Sequence, residues 1–309
     1  MDRSDVTLER MRTFVRIAER GSLSAVAREL GVGQSTVTRH LSELEAALGV
    51  PLLSRTTRRV TLTEEGQRYY AESLNILRLV ELAGDAVRDT QRAAAGTIRL
   101  SCTASFGLLH VGRLLYAFQD RYPDITIDLS LSDTQVDLVR EGMDMTIRLA
   151  PLTDSSLRLR TLGQSRRVLV AAPRYLQAHG RPTQPRDLAA LEGIRMTNVA
   201  GSDMVVLAAP DGAVHRVPFA GRFRVDHGLA VREAVLAGRG IAQTHLWLVA
   251  DLLAAGHLEV ILPDYLLPSM PLSMLIVPER AGISRVRLLA DYLVEAIATV
   301  PGMARTPGA

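Results

Sequence analysis

Hydrophobic residues near the start of the chain repeat at helical spacing in three segments that glycines separate. Gly21 ends the first segment, and Gly31-Val32-Gly33 forms a tight turn before the third. Such spacing predicts three short amphipathic helices that share one small core. Their apolar series are Leu8, Met11, Val15 and Ala18; Leu23, Val26, Ala27 and Leu30; and Val37, Leu41, Leu44 and Leu48.

The face of the third helix that points away from this core is polar. Ser35, Thr38 and Arg39 occupy positions i, i+3 and i+4, and Gln34 stands at the start of the helix. Short polar side chains with one Gln and one Arg at a helix N-terminus suit contacts with base edges in a DNA major groove. The pattern predicts a helix-turn-helix, and the alternative is a small structural bundle of helices.

The segment after the third helix is rich in arginine. Pro51 stops the helix, and the following SRTTRRVTL contains Arg55, Arg58 and Arg59 but no acid. Residues 31–63 together hold four arginines and two acids, although the net charge of the whole chain is only +3. Clustered arginine beside a recognition helix predicts a wing that grips phosphate or enters the minor groove. A solvated surface loop is the alternative.

Residues 63–93 predict one long helix. Glu64 and Glu65 lie in its first turn, where the helix dipole favours acids. A narrow apolar stripe on an otherwise charged helix calls for a partner helix, and the alternative is packing against the helix's own domain. The stripe consists of Tyr70, Leu74, Leu77, Val80, Gly84 and Val87.

Beyond Gly96 strands alternate with helices, as in an α/β domain. Short connections between these elements predict a parallel, doubly wound sheet, and a second unit of the same kind begins near Arg166. Two α/β lobes joined by two crossings form a hinged clamp. The first lobe is predicted to contain strands 97–102, 125–132 and 143–150 and helices 106–122 and 134–142. The second unit is predicted to begin with 166–176, and the later elements are a helix in 230–243 that closes on Gly238 and Gly240, a strand at 271–279 and a helix at 283–300.

Composition excludes several classes of protein. The chain has 309 residues, which is too long for one typical core, and 47% of them are hydrophobic without a run long enough to span a bilayer. The N-terminus lacks the apolar centre of a signal peptide, so we expect a cytoplasmic protein. A single cysteine, Cys102, excludes an internal disulfide and a thiolate cluster. The histidines show no metal-binding spacing, so no metal or cofactor is expected.

The N-terminal segment resembles the LysR-type transcriptional regulators of bacteria, and the length and downstream pattern of the chain fit them too. Val26, Gly33, Thr38 and Leu53 depart from the family pattern, but none removes a DNA-contacting group. The resemblance rests on Phe14, Gly21-Ser22, Ala27, Leu30, Gln34-Ser35, Val37, Arg39, Leu44-Glu45, Leu48-Gly49, Leu52-Leu53, Arg55, Leu62-Thr63 and Gly66.

This resemblance implies a mixed fold in three parts. Residues 1–62 would form a winged helix-turn-helix, residues 63–93 a linker helix that pairs two subunits, and residues 94–309 a two-lobed, periplasmic-binding-protein-like effector domain. The first lobe would comprise about 96–165 and 268–301, and the second about 166–267. The expected pairing residues are Tyr70, Leu74, Leu77 and Val80, and the expected DNA contacts are Ser22, Gln34, Ser35, Thr36, Thr38, Arg39, Arg55, Arg58 and Arg59.

An effector is expected where the strands of an open α/β sheet end, against helix N-termini. Thr103, Ala104 and Ser105 follow the first strand, and in the second lobe Thr197-Asn198 and Thr244-His245 follow strands. Arg148 lies in the strand near the interlobe hinge, where it would neutralise a carboxylate, and a subgroup of the family has an arginine at the same place. The resemblance also adds Thr134. Ser and Thr at helix starts are also ordinary caps, and a lone arginine often has a structural partner.

The sequence thus predicts a DNA-binding transcription regulator, with a small carboxylate-bearing metabolite as effector and a partly palindromic double-stranded operator as target. It would act as a homodimer or homotetramer, away from the membrane, and would also contact RNA polymerase if it is an activator. A solute-binding module would need a signal peptide and no helix-turn-helix. An enzyme would need a catalytic set, and the sequence offers neither G-x-S-x-G nor H-E-x-x-H. A regulator that needs no effector stays open.

Overall fold

The structure is a computed structural model that describes residues 6–56, 59–88, 95–134, 138–150, 157–199 and 201–304. The chain divides into two compact units. The first consists of residues 1–93 together with 136–143, and the second of residues 94–135 and 144–309. None of the described helices is long and apolar enough to cross a membrane.

The first unit begins with the three predicted helices: α1 (Leu8–Arg20), α2 (Leu23–Leu30) and α3 (Gln34–Leu48). Gly21, Gly31 and Gly49 end them in the left-handed conformation, which glycine adopts without steric cost. Helix α3 therefore stops at Gly49, before Pro51 is reached. The buried core of this unit is formed by Phe14, Val15, Ile17, Val26, Ala27, Val37, Leu41, Leu44, Leu52 and Leu53.

A two-stranded hairpin and a long helix complete the unit. Strands β1 (Leu53–Thr56) and β2 (Arg59–Leu62) pair antiparallel, as expected of a wing, and α4 (Glu64–Arg88) follows. Residues 89–94 lie outside the described residues. The predicted end of the linker helix, at residue 93, is among them. A short helix, α7 (Leu138–Glu141), contacts α4 although its sequence belongs to the α/β region.

The segment that connects α3 to the wing is held from both sides. The Glu45 carboxylate accepts hydrogen bonds from the backbone N–H groups of Leu52 (2.7 Å) and Leu53 (3.1 Å). On the other side, the backbone N–H of Thr63, the residue before α4, donates to the Leu52 carbonyl (3.0 Å). Gly66 of α4 packs so closely that a Cβ there would lie 1.9 Å from the same oxygen. Recognition helix, wing and linker helix therefore meet at one point, which we call the Leu52 junction.

The apolar side chains of α4 serve two different faces. Tyr70, Leu74 and Leu77 pack against the core of the first unit, as in the alternative that the stripe left open. Val80, the fourth predicted pairing residue, is 36% exposed, and its neighbour Leu79 is 61% exposed. The helix thus stabilises its own unit with one face and leaves a second apolar face uncovered within the described chain.

The second unit contains two sheets. The strands of the six-stranded sheet are β3 (Gly96–Cys102), β4 (Ile125–Leu131), β5 (Met145–Leu149), β6 (Arg158–Ser165), β14 (Met270–Ile276) and β15 (Met303–Ala304). Those of the five-stranded sheet are β7 (Arg167–Ala171), β8 (Gly193–Met196), β11 (Arg224–Val225), β12 (Ile241–His245) and β13 (Glu259–Val260). The first sheet has the order β15-β6-β14-β5-β3-β4, and the second has the order β11-β8-β12-β7-β13.

Helices cover these sheets, and a separate hairpin consists of β9 (Met204–Ala208) and β10 (Val214–Pro218). The helices of the first lobe are α5 (Ala104–Phe106), a π-helical turn (Gly107–Val111), α6 (Gly112–Arg121) and α11 (Ser284–Ile297). Those of the second are α8 (Pro173–His179), α9 (Gly228–Leu236) and α10 (Leu246–Ala254), with 3₁₀ turns at Pro185–Ala190 and, outside the second lobe, at Pro278–Arg280.

The predicted parallel arrangement is confirmed for the βαβαβ run, but both sheets also contain antiparallel strands. Strands β3, β4 and β5 are parallel, but β14 runs antiparallel to β5 and β6, and β12 runs antiparallel to β7. The reason is that the chain crosses between the sheets twice. Strand β6 ends at Ser165 in one sheet and β7 begins at Arg167 in the other. The strands that follow the two crossings, β7 and β14, therefore run opposite to the strands on either side of them.

We predict that Gly66→Ala destabilises the chain because the new methyl group would displace the Leu52 carbonyl. The expected loss is about 1–3 kcal/mol of unfolding free energy, the range for overpacking a rigid site. Gly84→Ala is the matched control: it lies on the same helix with no atom near its missing Cβ, so it should stabilise by about 0.5–1 kcal/mol. Calorimetric unfolding of the full chain measures both, and equal effects of the two alanines would contradict the junction.

Candidate functional site

The recognition helix presents a polar surface at its N-terminal end. Gln34, Ser35 and Arg39 are exposed, while Thr36 and Thr38 are partly buried. The Thr38 hydroxyl donates to the Gln34 carbonyl (3.0 Å). Gly33 precedes the helix and gives no side-chain cap. This end of α3 therefore carries free polar side chains on a helix whose opposite face is buried.

The remaining predicted DNA contacts stand around this helix. The Ser22 hydroxyl caps α2 by accepting from the Ala25 backbone N–H (3.3 Å). Arg55 and Arg59 lie in the paired wing strands, and only the backbone of these two residues is described. Arg58 lies outside the described residues.

A cavity of about 210 Å³ lies between the two lobes of the second unit. Its wall is mixed, with apolar side chains around a few charged and hydroxyl groups. Five of the predicted effector residues line it: Thr103, Ser105, Asn198, Thr244 and His245. The apolar part of the wall is made by Leu149, Ile194, Met196, Val199, Phe219, Trp247, Leu248 and Met270.

Four predicted effector residues are not among the described residues of the wall. Thr134 and Thr197 are exposed. Ala104 contributes its backbone N–H, which donates to the Asp133 carboxylate (2.9 Å). The Arg148 guanidinium donates to Thr146 Oγ1 (3.0 Å), to Ser101 Oγ (3.0 Å) and to the Ser132 carbonyl. Arg148 therefore holds the turn before Asp133 in place rather than facing the cavity.

Three charged residues that the sequence did not single out line the cavity: Asp133, Arg167 and Arg195. Burial lowers the pKa of the Arg167 guanidinium from its usual range, and this side chain donates to Gln243 Oε1 (3.2 Å). Asp133 follows the end of β4, as the strand-end rule would have suggested. Arg167 stands at the start of β7, opposite His245, because those two strands are antiparallel.

Three polar groups of the wall lack a partner among the described residues. Thr103 Oγ1, Ser105 Oγ and Arg195 Nε are buried without a hydrogen bond, and Ser105 as a whole is 5% exposed. Buried polar groups are nearly always satisfied, and an unmet donor costs about 1–3 kcal/mol. An occupant of the cavity that carries hydrogen-bond acceptors could satisfy these groups.

A hydrogen-bonded chain fixes the state of His245. The indole Nε1–H of Trp247 donates to the hydroxyl of fully buried Ser165 (3.0 Å), and that hydroxyl lies 2.7 Å from His245 Nδ1. The single hydroxyl hydrogen is then directed to Nδ1, so the ring carries its own hydrogen on Nε2. Burial, with Arg167 nearby, lowers the pKa of His245 to about 3. His245 is therefore a neutral donor at neutral pH.

The two lobes also touch beside the cavity. Phe106 meets Trp247 edge-on at 5.0 Å between ring centroids, and His110 Nε2 donates to the Trp247 carbonyl (3.0 Å). Gly228, at the start of α9, lies so close that a Cβ would come within 2.6 Å of Ser105 Oγ. Glycine at this position permits the close approach of the lobes.

Cys102 lies behind the cavity wall at the end of β3. Its side chain is fully buried, and burial raises the pKa of the thiol to about 12. Because the thiolate is the reactive form, this thiol is unreactive at neutral pH.

We predict that His245→Asn flattens the pH dependence of stability. The pKa of His245 in the folded chain lies below the ordinary value of 6.5, so at intermediate pH the ring is protonated in the unfolded chain and neutral in the folded chain. The free energy of unfolding therefore falls as the pH drops from 6.5 toward 3. The difference in unfolding free energy between wild type and variant should shrink by up to about 1.4 kcal/mol per pH unit. Urea unfolding at about pH 7 and about pH 5.5 measures it, and parallel profiles would contradict a neutral buried ring.

Two family models cover most of the chain. Residues 8–67 match the bacterial regulatory helix-turn-helix protein, lysR family, and residues 91–298 match the LysR substrate binding domain. Among curated proteins, the chain is 34% identical to the HTH-type transcriptional regulator DmlR of Escherichia coli K12 over 286 residues, which is 93% of each chain.

Solved structures agree with this similarity. The full-length Vibrio cholerae virulence activator AphB, a member of the LTTR protein family, aligns with a TM-score of 0.65 at 28% identity over 94% of this chain and 99% of that one. CrgA, a LysR-type transcriptional regulator from Neisseria meningitidis, aligns with a TM-score of 0.62 at 29% identity over 95% of this chain and 100% of that one. With both family models matched in order along the chain, this protein belongs to the LysR family of bacterial transcriptional regulators.

Proposed function

We propose that this LysR-type regulator recognises a partly palindromic operator with the N-terminal end of α3. The observation that supports this most directly is the exposed set Gln34, Ser35 and Arg39 on a helix whose other face is buried. A bidentate arginine contact with guanine and a glutamine contact with adenine are the pairings that such side chains make. Ser22, Thr36 and Thr38 add contacts around them, and the wing arginines Arg55, Arg58 and Arg59 bind phosphate or the minor groove.

Arg39→Ala is expected to weaken specific operator binding by about 1–3 kcal/mol, the loss for one bidentate base contact. Its matched control is Arg287→Ala, which removes the same charge from an exposed position on α11 in the effector unit. Fluorescence anisotropy with operator DNA and with a scrambled duplex measures both. Equal affinity of the Arg39 variant and wild type for the operator would exclude α3 as the base-reading element.

The uncovered face of α4 supports self-association. Ile76, Leu79 and Val80 are exposed on it, at 38%, 61% and 36%. A second copy of α4 laid against this face would bury these side chains and bring two recognition helices to two half-sites. The protein would then be a homodimer, and further contacts would produce a homotetramer.

Leu79→Glu is expected to dissociate the oligomer and to weaken operator binding while the chain stays folded. Leu74→Glu should instead unfold the first unit, because Leu74 packs against its core. Gln67→Glu places the same carboxylate at an exposed position of the same helix and should change neither property. Sedimentation velocity and circular dichroism separate these outcomes, and an oligomer that survives Leu79→Glu would place the interface elsewhere.

The interlobe cavity supports control by a small anionic, carboxylate-bearing effector in the cytoplasm. Arg167, Arg195 and Ser105 offer donors to it, and Arg148 positions the turn that carries Asp133. Coupling between this cavity and the operator must be reciprocal: the effector changes operator affinity by the factor by which the operator changes effector affinity. If the effect on transcription is activation, RNA polymerase is a further partner.

A further inference from the structure

The charges that line the cavity leave one positive charge uncompensated. Arg167 and Arg195 are cations, Asp133 is an anion, and these are the charged side chains among the described lining residues. His245 adds a neutral Nε2–H donor, because its pKa is about 3. An enclosed site of low dielectric is stable when its charges balance. The cavity therefore balances when its occupant carries a single negative charge.

Asp133 is fixed in the position where it contributes its charge. One carboxylate oxygen accepts the Ala104 backbone N–H at 2.9 Å, and the preceding residue, Ser132, is held through its carbonyl by Arg148. The other oxygen lies 3.9 Å from Nε2 of His227 in the second lobe.

The unsatisfied donors indicate where the occupant's charge sits. Thr103 Oγ1 and Ser105 Oγ come from the first lobe and Arg195 Nε from the second, and all three are buried without a partner among the described residues. A carboxylate accepts from hydroxyls and from a guanidinium, and such charge-assisted bonds are the strong ones. A second carboxylate would give the cavity an excess negative charge beside Asp133, and a zwitterion would leave the excess positive charge in place.

The rest of the wall is apolar and aromatic. Phe219, Trp247 and Leu248 contribute to it, and the volume is about 210 Å³. Aromatic walls favour flat or compact apolar bodies, which they contact by stacking or edge-on packing. Resting on the effector role proposed above, we propose that the cavity binds a monocarboxylate with a compact apolar body, and that Asp133 excludes dicarboxylates.

The test compares pairs of probes that differ by one carboxylate. Benzoate with isophthalate and hexanoate with adipate are titrated into the full chain by calorimetry at about pH 8, and benzamide serves as the uncharged probe. Within each pair the monoanion should bind at least roughly tenfold more tightly, since a second charge near Asp133 is repelled in a medium of reduced dielectric. Benzamide should bind at least roughly tenfold more weakly than benzoate, because it cannot form the charge-assisted bonds.

Asp133→Asn should raise the affinity for isophthalate relative to that for benzoate by roughly tenfold or more. The neutral amide still accepts the hydrogen bond from Ala104 but no longer repels the second carboxylate. The matched control is Asp128→Asn, an exposed acid of the same lobe whose side chain is 61% exposed, which should leave that ratio unchanged. Arg195→Met should lower the affinity for benzoate by roughly tenfold or more, because it removes the charge-assisted hydrogen bonds of the guanidinium.

Three results would overturn the proposal: dicarboxylates that bind wild type as tightly as their monocarboxylate partners, an Asp133→Asn variant with an unchanged ratio, or no binding by either monoanion. Operator binding is measured on the same samples. An intact operator affinity with any of these results would reject the effector class alone, whereas loss of operator binding in wild type would reject the proposed function.

Discussion

The hydroxyl of Ser165 is the point on which the effector unit depends. It ends the strand that leaves the first lobe, it is fully buried, and it joins the Trp247 indole to the His245 ring. Arg167 follows two residues later as the first residue of the second sheet. The last residue of the strand before the crossing, the hydrogen-bond partner of the His245 ring and the acceptor for the Trp247 indole are therefore one and the same buried residue.

The first unit is organised by a comparable constraint at the Leu52 junction. There a single carbonyl accepts from the backbone N–H of Thr63 while Gly66 packs against it, and the adjacent N–H groups donate to Glu45 of the recognition helix. Because these contacts join the backbone next to the wing to both helices, the wing has little freedom to move independently of either helix. The angle between the wing and the recognition helix is thus built into the unit itself.

Local signals made the DNA-binding unit predictable from sequence. Glycines end its helices, apolar residues repeat at helical spacing, and the signature residues lie within one continuous segment. The two separate apolar faces of α4 were less predictable, because spacing identifies an apolar position without showing which partner covers it. Tyr70, Leu74 and Leu77 cover the unit's own core, whereas Leu79, outside the predicted stripe, is the most exposed large apolar side chain described on that helix.

The interlobe cavity was predictable only in part, for a topological reason. Thr103 and Ser105 follow the end of β3 and His245 is the last residue of β12, so the rule for open sheets locates them. Arg167 begins a strand, and a parallel sheet would have put it at the far edge. It reaches the cavity because β7 runs antiparallel to β12, a consequence of the chain crossing between lobes. Arg148 shows the reverse: its strand position suggested the cavity, but backbone and hydroxyl acceptors nearby bind its guanidinium.

Cys102 is poorly placed to act as a redox sensor. A fully buried thiol whose pKa is raised to about 12 stays protonated across the physiological range, and it is the one cysteine of the chain. The thiolate is the form that attacks oxidants and electrophiles, and a sulfenic acid at this position would have no second cysteine with which to form a disulfide. A reversible thiol–disulfide switch within one chain is therefore not open to this protein, and its single sulfhydryl serves as an apolar part of the first lobe.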